Sequence, residues 1–250
     1  MLLNKPSTKT VGRLLWILGL LAVGIFSYFS LHSGVLRFNY PSSALYPIRG
    51  IDVSHHQGEV DWKKVRSNGV HFVYLKATEG GSFVDRRFTR NWQDAKSAGL
   101  IVGAYHFFTF CRDGASQAKN FLTVVPQTQG TLPMAIDLEY GGNCRKRLTH
   151  AELVKELQAF INAIQVKDKR KPVLYMTKEF YVAYTRNDRQ FFKQYPLWIR
   201  DIFLNPAWLG DHAWTFWQYA NRGRVAGIKG PVDLNVFFGD TKQWQLLLQN

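Results

Sequence analysis

The stretch Thr131-Leu-Pro-Met-Ala-Ile-Asp-Leu-Glu139 is an apolar run that ends in two carboxylic acids. Its length and apolar residues predict a buried β-strand. Successive side chains of a strand point to opposite faces, so Asp137 and Glu139 are expected on one face, with Cα atoms roughly 6.5 to 7 Å apart. Like charges held close push carboxyl pKa values apart, so one acid can stay protonated while the other is ionised. The pair is a candidate acid and base site, and the alternative is a strand end with solvated acids.

Further apolar runs alternate with stretches of helical periodicity on both sides of this strand. Such alternation is typical of parallel βα units rather than of a β-sandwich. The predicted strands lie near 50–54, 70–76, 100–107, 133–139, 172–176, 196–199, 214–218 and 232–237, and the predicted helices near 60–68, 86–98, 115–124 and 149–166. The last three strands are too closely spaced for full helices between them. The sequence therefore predicts an α/β fold, an irregular TIM-like barrel of eight strands whose final third lacks regular crossovers.

Polar and aromatic residues gather at the carboxyl ends of these predicted strands. In barrels of this kind the reacting groups lie at those ends and in the loops that follow them. Acids and rings at one end of eight strands describe a polar cleft that suits stacking on sugars and hydrogen bonding to hydroxyl groups. For any single residue the alternative is core packing or a salt bridge. The candidates are Asp52, Lys76, Tyr105, Asp137, Glu139, Tyr175, Trp198, Arg200, Trp217, Gln218 and Asp233.

The start of the chain has a different pattern. The eighteen residues from Leu14 to Leu31 carry no charge, which is near the length that crosses a membrane as a helix. Basic residues precede this segment and no acid does, so the amino terminus is expected in the cytoplasm and the rest outside the membrane. A cleaved signal peptide is the alternative, but residues 30–34 fit its small-residue pattern poorly. The predicted segments are a short basic cytoplasmic tail at 1–13, a transmembrane signal-anchor helix at 14–32, a linker at 33–49 and a barrel domain at 50–250.

The charge of the chain indicates the kind of partner it meets. The 250 residues carry a formal net charge of +14, which favours an anionic partner such as lipid headgroups or an acidic cell-wall polymer. Nucleic acid would also fit by charge alone, but no basic run or aromatic-basic motif points to it. The sequence therefore predicts no nucleic-acid partner, and it leaves the oligomeric state open.

The two cysteines, Cys111 and Cys144, would both lie in the exported part of the chain. A single disulfide is possible there, because each cysteine follows a predicted strand and the loops of consecutive barrel strands are neighbours. No spacing of cysteine and histidine resembles a zinc site, and no metal or other cofactor is expected.

Six blocks of the chain match one known family, in the family's order. With these blocks the chain resembles the family 25 glycoside hydrolases, which are N-acetylmuramidases (lysozymes) that cut the glycan of peptidoglycan. The resemblance covers about residues 50 to 240 and implies a (β/α)5(β)3 barrel, in agreement with the strand count. The blocks are Gly50-Ile-Asp-Val-Ser-His-His-Gln-Gly58, Phe72-Val-Tyr-Leu-Lys-Ala-Thr-Glu-Gly80, Gly103-Ala-Tyr-His-Phe107, Asp137-Leu-Glu139, Trp217-Gln-Tyr219 and Val232-Asp-Leu-Asn235.

The resemblance also implies roles for the four acids. Glu139 would be the general acid that protonates the glycosidic oxygen between N-acetylmuramic acid and N-acetylglucosamine. Asp137 would be its charged partner, which either orients the 2-acetamido group for internal attack or acts directly as base or nucleophile; both roles stay open. Asp52 and Asp233 match the family's other two acidic positions, where electrostatic work is expected.

By the same resemblance, five residues fall where the family lines its sugar subsites: Tyr105, Tyr175, Trp198, Trp217 and Gln218. Lys76 is expected either to neutralise a carboxylate of the substrate or to hold one catalytic acid ionised. Arg200 is a departure, because Trp198-Ile-Arg-Asp-Ile202 stands where the family usually has Trp-Ile-Ala followed by an aromatic residue two positions later. It is expected to alter a subsite or to lower the pKa of the proton donor.

Together these observations predict a peptidoglycan hydrolase that cleaves the β-1,4 bond between N-acetylmuramic acid and N-acetylglucosamine, for wall remodelling or lysis. The chain would be a single-pass membrane protein with its catalytic domain exported to the periplasm or cell surface. Two other classes stay open: a membrane-anchored peptidoglycan-binding protein without turnover, and a metal-dependent phosphodiesterase on the same barrel. The second would need clustered histidine and aspartate ligands at the strand ends, and the sequence has no such cluster.

Overall fold

The structure is a computed structural model that describes residues 8–32, 39–126, 129–186, 189–210 and 214–249. The chain falls into two compact units, Met1–Phe38 and Asn39–Asn250. Its helices are α1 (Thr8–His32), α2 (Trp62–Ser67), α3 (Phe88–Ser97), α4 (Gly114–Val124), α5 (His150–Ile164), α6 (Lys178–Thr185), α7 (Gln190–Lys193) and α8 (Thr241–Gln249). Its strands are β1 (Arg49–Val53), β2 (Phe72–Glu79), β3 (Phe83–Val84), β4 (Ile101–Phe107), β5 (Ala135–Leu138), β6 (Val173–Thr177), β7 (Leu197–Arg200), β8 (Phe216–Gly223) and β9 (Val232–Phe237).

The first unit is built on helix α1, which exposes its large apolar side chains along most of its length. By length and composition, its stretch Thr8–Leu31, 24 residues long, is a candidate membrane span. At 1.5 Å per residue this gives roughly 36 Å, which is enough to cross the hydrocarbon core of a membrane. The helix begins at Thr8, so residues 8–13 of the predicted tail are helical. The limits assigned to tail, anchor and linker stay a prediction.

The second half of the predicted linker packs against the barrel. The side-chain amide of Asn39 donates to the backbone oxygen of Tyr219 at 2.9 Å. The ring of Tyr40 meets the Tyr219 ring edge-on, with 5.5 Å between the centroids. These contacts explain why the second compact unit begins at Asn39. The first half of the predicted linker, residues 33–38, lies outside the described residues.

Eight strands of the second unit form a closed barrel. Around the barrel the order is β1, β2, β4, β5, β6, β7, β8 and β9, and β9 pairs with β1 to close it. Neighbouring strands are parallel except at β9, which runs antiparallel to both β8 and β1. All eight predicted strands are confirmed. The two-residue strand β3, which pairs with the end of β2 outside the closed ring, was not predicted.

The helices are regular in the first part of the barrel and irregular after β6. The four predicted helices are confirmed as α2 to α5, and the predicted cap of α5 is present, with the Thr149 side chain accepting from the Glu152 amide. Two helices between β6 and β7, α6 and α7, and the terminal α8 were not predicted. Between β7 and β8 the described residues contain only the 3₁₀ turn Pro206–Leu209. This arrangement confirms the (β/α)5(β)3 barrel.

The lower part of the barrel interior is filled by aromatic rings. Tyr74 and Trp198 stack with 4.8 Å between their centroids, and Phe216 meets the Tyr74 ring edge-on at 5.7 Å. Glycine makes room for these rings: a Cβ atom on Gly103 would lie 2.5 Å from the Tyr74 ring. Because this layer closes the amino-terminal end of the barrel, access to the interior is from the carboxyl ends of the strands.

A disulfide joins the loops that follow β4 and β5. Cys111 and Cys144 form the bond, across a sequence separation of 33 residues. In the chain-entropy description, closing a loop of this length stabilises the folded state by about 3 to 4 kcal/mol. The bond therefore braces the loop that begins at Glu139 against the neighbouring loop.

Candidate active site

A cleft of about 240 Å³ opens at the carboxyl ends of the barrel strands. It is more polar than the ring-filled layer beneath it. Nine of its ten lining residues are ones that the sequence predicted, and the tenth, Asn221, was missed. The lining residues are Asp52, Tyr105, Asp137, Glu139, Tyr175, Trp198, Arg200, Gln218, Asn221 and Asp233.

Asp137 and Glu139 both line the cleft, as the alternation of a strand requires. Asp137 is the third residue of β5, and Glu139 is the first residue after that strand. Burial raises the pKa of Asp137 well above its ordinary value, and the charge of Glu139 raises it further. Burial also raises the pKa of Glu139, whose side chain remains 20% exposed. The pair therefore tends to retain protons at pH values where free carboxyl groups are ionised.

One oxygen of Asp137 has no internal partner. The residue is 8% exposed, and its Oδ1 is buried without a hydrogen bond to any residue that the structure describes. Buried polar atoms in folded proteins are almost always paired. An acceptor left unpaired at the wall of a cleft is thus a contact point for a donor on a bound molecule.

Asp52 and Asp233 form a second acidic pair, on two neighbouring strands. They lie directly opposite each other in the antiparallel pairing of β1 and β9. Asp52 Oδ2 accepts hydrogen bonds from Gln218 Nε2 at 2.9 Å and from Asn235 Nδ2 at 2.8 Å. Burial raises the pKa of Asp52, while these two bonds act in the opposite direction. Burial and the charge of Asp52 raise the pKa of Asp233 well above its ordinary value, so the two carboxyls can share a proton.

The amides that hold Asp52 are themselves fixed by rings of the cleft wall. Tyr175 donates its hydroxyl proton to Gln218 Oε1 at 3.1 Å, and Trp198 Nε1 donates to Asn235 Oδ1 at 2.8 Å. Burial raises the pKa of Tyr175 well above its ordinary value, so the hydroxyl stays a donor. Each amide thus accepts from a ring and donates to Asp52, which sets the orientation of both side chains.

Arg200 brings a positive charge to the cleft. Its Nη1 lies 3.6 Å from Glu139 Oε2, and its side chain is 32% exposed. Burial raises the pKa of each of the four cleft acids, and the charge of Arg200 acts against that rise in all four. Arg200 therefore favours the ionised state of the site while it remains within reach of a bound anion.

Trp217 lies outside the cleft, contrary to the sequence prediction. Its ring nitrogen donates to the backbone oxygen of Asp201 at 2.8 Å. The ring packs against Tyr46, with 6.2 Å between the centroids, on the outer side of the barrel. The physical reason is the two-residue period of a strand: Gln218 faces the interior, so its neighbour Trp217 faces outward.

Lys76 stands beside the cleft rather than among the residues that line it. Its Nζ lies 2.6 Å from Glu79 Oε2, and it sits over the Phe107 ring at 4.9 Å. The charge of Lys76 lowers the pKa of Asp137 against the larger effect of burial. Of its two predicted roles, this placement favours the electrostatic one.

Two residues of the site, Asn221 and Asn235, were not among the predicted site residues. Asn235 closes the quoted block Val232-Asp-Leu-Asn235, so a signal was available. Asn221 follows a register shift in β8 near Ala220, which changes the face to which later residues point. Strand alternation alone could not have placed it.

Among the described residues, no group of three or more histidine, cysteine, aspartate or glutamate residues is arranged to hold a metal ion.

Comparison with known proteins agrees with this geometry. Residues 51–228 match the family model described as glycosyl hydrolases family 25. The uncharacterized protein YegX of Escherichia coli (strain K12) is 38% identical over 207 residues, which cover 81% of this chain and 74% of YegX. Lysozyme M1 of Streptomyces globisporus is 33% identical over 213 residues, which cover 81% of this chain and 72% of the lysozyme. The solved structure of a family 25 glycosyl hydrolase from Bacillus anthracis superposes with a TM-score of 0.76 at 35% identity, covering 84% of this chain and 98% of that one.

Proposed function

Because the chain belongs to glycosyl hydrolase family 25, we propose that its cleft cleaves the β-1,4 bond between N-acetylmuramic acid and N-acetylglucosamine in peptidoglycan. The chain is a glycoside hydrolase, and its likeness to Lysozyme M1 supports muramidase activity. One observation carries the proposal: Asp137 and Glu139 share the cleft, and burial raises the pKa of both. A carboxyl group whose pKa is raised above its ordinary value is what a glycosidase uses as general acid.

Glu139 is the proposed general acid. It is the less buried of the two acids on β5 and its loop, with 20% of its side chain exposed, so it can reach a glycosidic oxygen at the cleft mouth. It gives its proton to the leaving oxygen as the bond to the muramic unit breaks. In the second step it takes a proton from the attacking water, which restores the starting state.

Asp137 is the proposed partner of the 2-acetamido group. Its unpaired Oδ1 can accept the acetamido N–H, which would orient the acetamido oxygen for attack on the sugar carbon. That hydrogen bond would also favour the ionised form of a carboxyl whose pKa is raised by burial. Direct action as base or nucleophile is the other role that the sequence leaves open, and the unpaired oxygen supports the first.

Asp52 and Asp233 are proposed to act through charge. Gln218 and Asn235 hold Asp52 by two hydrogen bonds, so its position is fixed before substrate binds. A fixed negative charge near the sugar stabilises the positive charge that develops as the glycosidic bond breaks. Tyr105, together with the ring-to-amide contacts already described, is proposed to shape the sugar subsites of this cleft.

For location, we propose that α1 anchors the chain in a membrane with the amino terminus in the cytoplasm. The length and apolar surface of α1 support this topology, and the likeness to cell-wall lysozymes supports an exported catalytic unit. A cleaved signal peptide is the competing arrangement. Extraction of the intact chain from membranes only by detergent would support the anchor, whereas a shortened soluble protein outside the cell would overturn it.

The test of the catalytic proposal is muropeptide analysis by mass spectrometry after full-length protein in detergent meets purified peptidoglycan sacculi. Wild type should release products with reducing muramic ends, and Glu139→Gln should release none. Glu152→Gln is a matched control, because glutamine also satisfies the capping box at the start of α5. If wild type binds sacculi and leaves the glycan intact, the chain is a binding protein and the proposed cleavage is wrong.

A further inference from the structure

A second cavity lies at the same end of the barrel as the cleft, and we call it the rim groove. It has a volume of about 430 Å³. Its walls come from the segment between β1 and α2, from α3, and from the loop between β8 and β9. These segments follow β1, the hairpin of β2 and β3, and β8, at the end of the barrel that carries the cleft. The groove is lined by Glu59, Val60, Asp61, Lys64, Arg87, Arg90, Asn91, Asp94, Gly227, Ile228 and Lys229.

The floor of the rim groove is held by backbone contacts. The amide of Asp61 donates to the oxygen of Gly227 at 2.9 Å, and Val60 forms an isolated antiparallel bridge with Ile228. Gly227 has a φ of 98°, and a Cβ there would lie 2.5 Å from the Asp61 oxygen. Only glycine therefore allows this close approach of loop and helix start. The groove is a preformed feature rather than a gap between loose side chains.

Arg87 is the strongest sign that the rim groove binds a ligand. Its Nε is buried and lacks a hydrogen-bond partner within the described ranges. A buried donor left unpaired at a cavity wall is costly unless a bound molecule completes it. Asn91, which is 5% exposed, lines the same groove and adds an amide that can both donate and accept.

The charges of the rim groove are mixed and leave a cationic excess. Arg90 Nη1 lies 3.8 Å from Glu59 Oε1, and Arg90 Nε lies 3.5 Å from Asp94 Oδ2. In contrast, Arg87 and Lys229 have no ion pair with any described residue. The groove thus offers unpaired cations for a carboxylate, acids that can face an amine, and an amide that can both donate to and accept from a peptide bond.

We propose that the rim groove binds the peptide portion of the glycan substrate, a short peptide that carries carboxylates and a free amine. This inference rests on the proposed function, because peptidoglycan carries such peptides on its muramic units. Arg87 and Lys229 receive a peptide carboxylate, and the Asn91 amide pairs with a peptide bond. A volume of about 430 Å³ suits a few residues of peptide and lies within the usual range of ligand sites. Because the groove lies at the cleft end of the barrel, one peptidoglycan strand can place its glycan in the cleft and its peptide in the rim groove.

The test compares two substrates of the full-length chain in detergent: intact sacculi, and the same glycan after an amidase has removed its peptides. For Arg87→Ala and Lys229→Glu, kcat/KM on intact sacculi should fall about tenfold more than kcat/KM on stripped glycan, as the loss of a charged hydrogen bond predicts. Lys96→Ala, on the same helix α3 but outside the groove, should change both values equally. If the ratio of kcat/KM on intact sacculi to kcat/KM on stripped glycan is unchanged in both groove variants, the proposal is wrong.

Direct binding separates this inference from the catalytic one. A released stem tetrapeptide that contains a diamino acid is titrated into Glu139→Gln, with and without Arg87→Ala, by calorimetry. Saturable binding that weakens about tenfold with Arg87→Ala supports the groove even if wild type cleaves neither glycan. Cleavage of both glycans with no tetrapeptide binding would contradict the proposed peptide site and leave the muramidase proposal intact.

Discussion

The barrel interior has two layers of side chains that behave in opposite ways. The lower layer holds rings such as Tyr74 and Phe216, which are buried and pack against each other. The upper layer holds four carboxyl groups whose pKa values burial raises. In the lower layer burial stabilises the fold, whereas in the upper layer burial costs stability and prepares acid and base chemistry. The comparison teaches that this chain places its stabilising and destabilising residues one layer apart.

The largest effect on stability is expected in the lower layer. Phe216→Ala should reduce the free energy of unfolding by about 3 to 5 kcal/mol, because it leaves a cavity among the rings. Urea denaturation of the full-length chain measures the loss. Phe203→Ala is the control, since Phe203 is 76% exposed and its removal leaves no buried cavity. Equal losses in the two variants would contradict the role assigned to the lower layer.

Substitution of an acid in the upper layer should have the opposite effect on stability. Asp137→Asn is expected to lower kcat by about 10²- to 10³-fold, the usual scale for a group that stabilises developing charge. The same change should raise the free energy of unfolding by about 1 kcal/mol, because asparagine carries no charge and so removes the cost of burying an ionisable carboxyl group. Sacculus turnover and urea denaturation test the two signs. A variant that is both less active and less stable would break the contrast between the layers.

The pH dependence of stability sharpens the same contrast. A carboxyl whose pKa is raised in the folded chain favours folding below its ordinary pKa of 3.8, and this contribution is lost as pH rises through the raised value. The stability gained by Asp137→Asn should therefore grow as pH increases from about 4. Denaturation curves of both proteins across that range give the difference directly. A gain that shrinks with rising pH would mean that the folded chain does not raise this pKa.

Arg200 should have the smallest effect on turnover. Its charge opposes the rise in the pKa of Glu139, so Arg200→Ala should raise that pKa and move the alkaline limb of the kcat/KM profile to higher pH. At the optimum, kcat/KM should change by less than about tenfold, as expected for a partly exposed ion pair. Lys242→Ala, at the start of α8, provides a comparison with equal loss of charge. A shift of the limb to lower pH in Arg200→Ala would reverse the proposed electrostatics.

Much of the fold was readable because apolar runs and strand-end acids are strong local signals. The helix α6 was missed, since its sequence Lys-Glu-Phe-Tyr-Val-Ala-Tyr-Thr is rich in residues that favour strands. Its formation depends on Thr177, which ends β6 and also caps the helix by accepting from the Phe180 amide. Ring contacts such as Phe180 on Phe110, with 5.8 Å between the centroids, then stabilise it. Tertiary packing of this kind is not visible in a local pattern.

The site was predicted well where chemistry marks the residues and poorly where backbone detail decides. Asp52 lies near the carboxyl end of β1, as predicted, but Asp233 is the second residue of β9 and reaches the same end of the barrel only because β9 is antiparallel. The inward turn of Asn221 depends on a register shift that no periodicity reports. The error at Trp217 was avoidable, because two neighbouring residues of a regular strand cannot both face the interior.

The hydrogen bonds around Asp52 have a mechanical consequence for the barrel. They run from Tyr175 on β6 through Gln218 on β8, and from Trp198 on β7 through Asn235 on β9, and both paths end on β1. In the part of the chain that the structure describes, regular crossover helices are absent after β7, and the antiparallel strand β9 closes the ring of strands here. The polar network therefore ties the barrel together from inside, at the point where the outer layer is thinnest. Substitutions at these positions that change the sugar specificity would therefore also weaken the closure of the barrel.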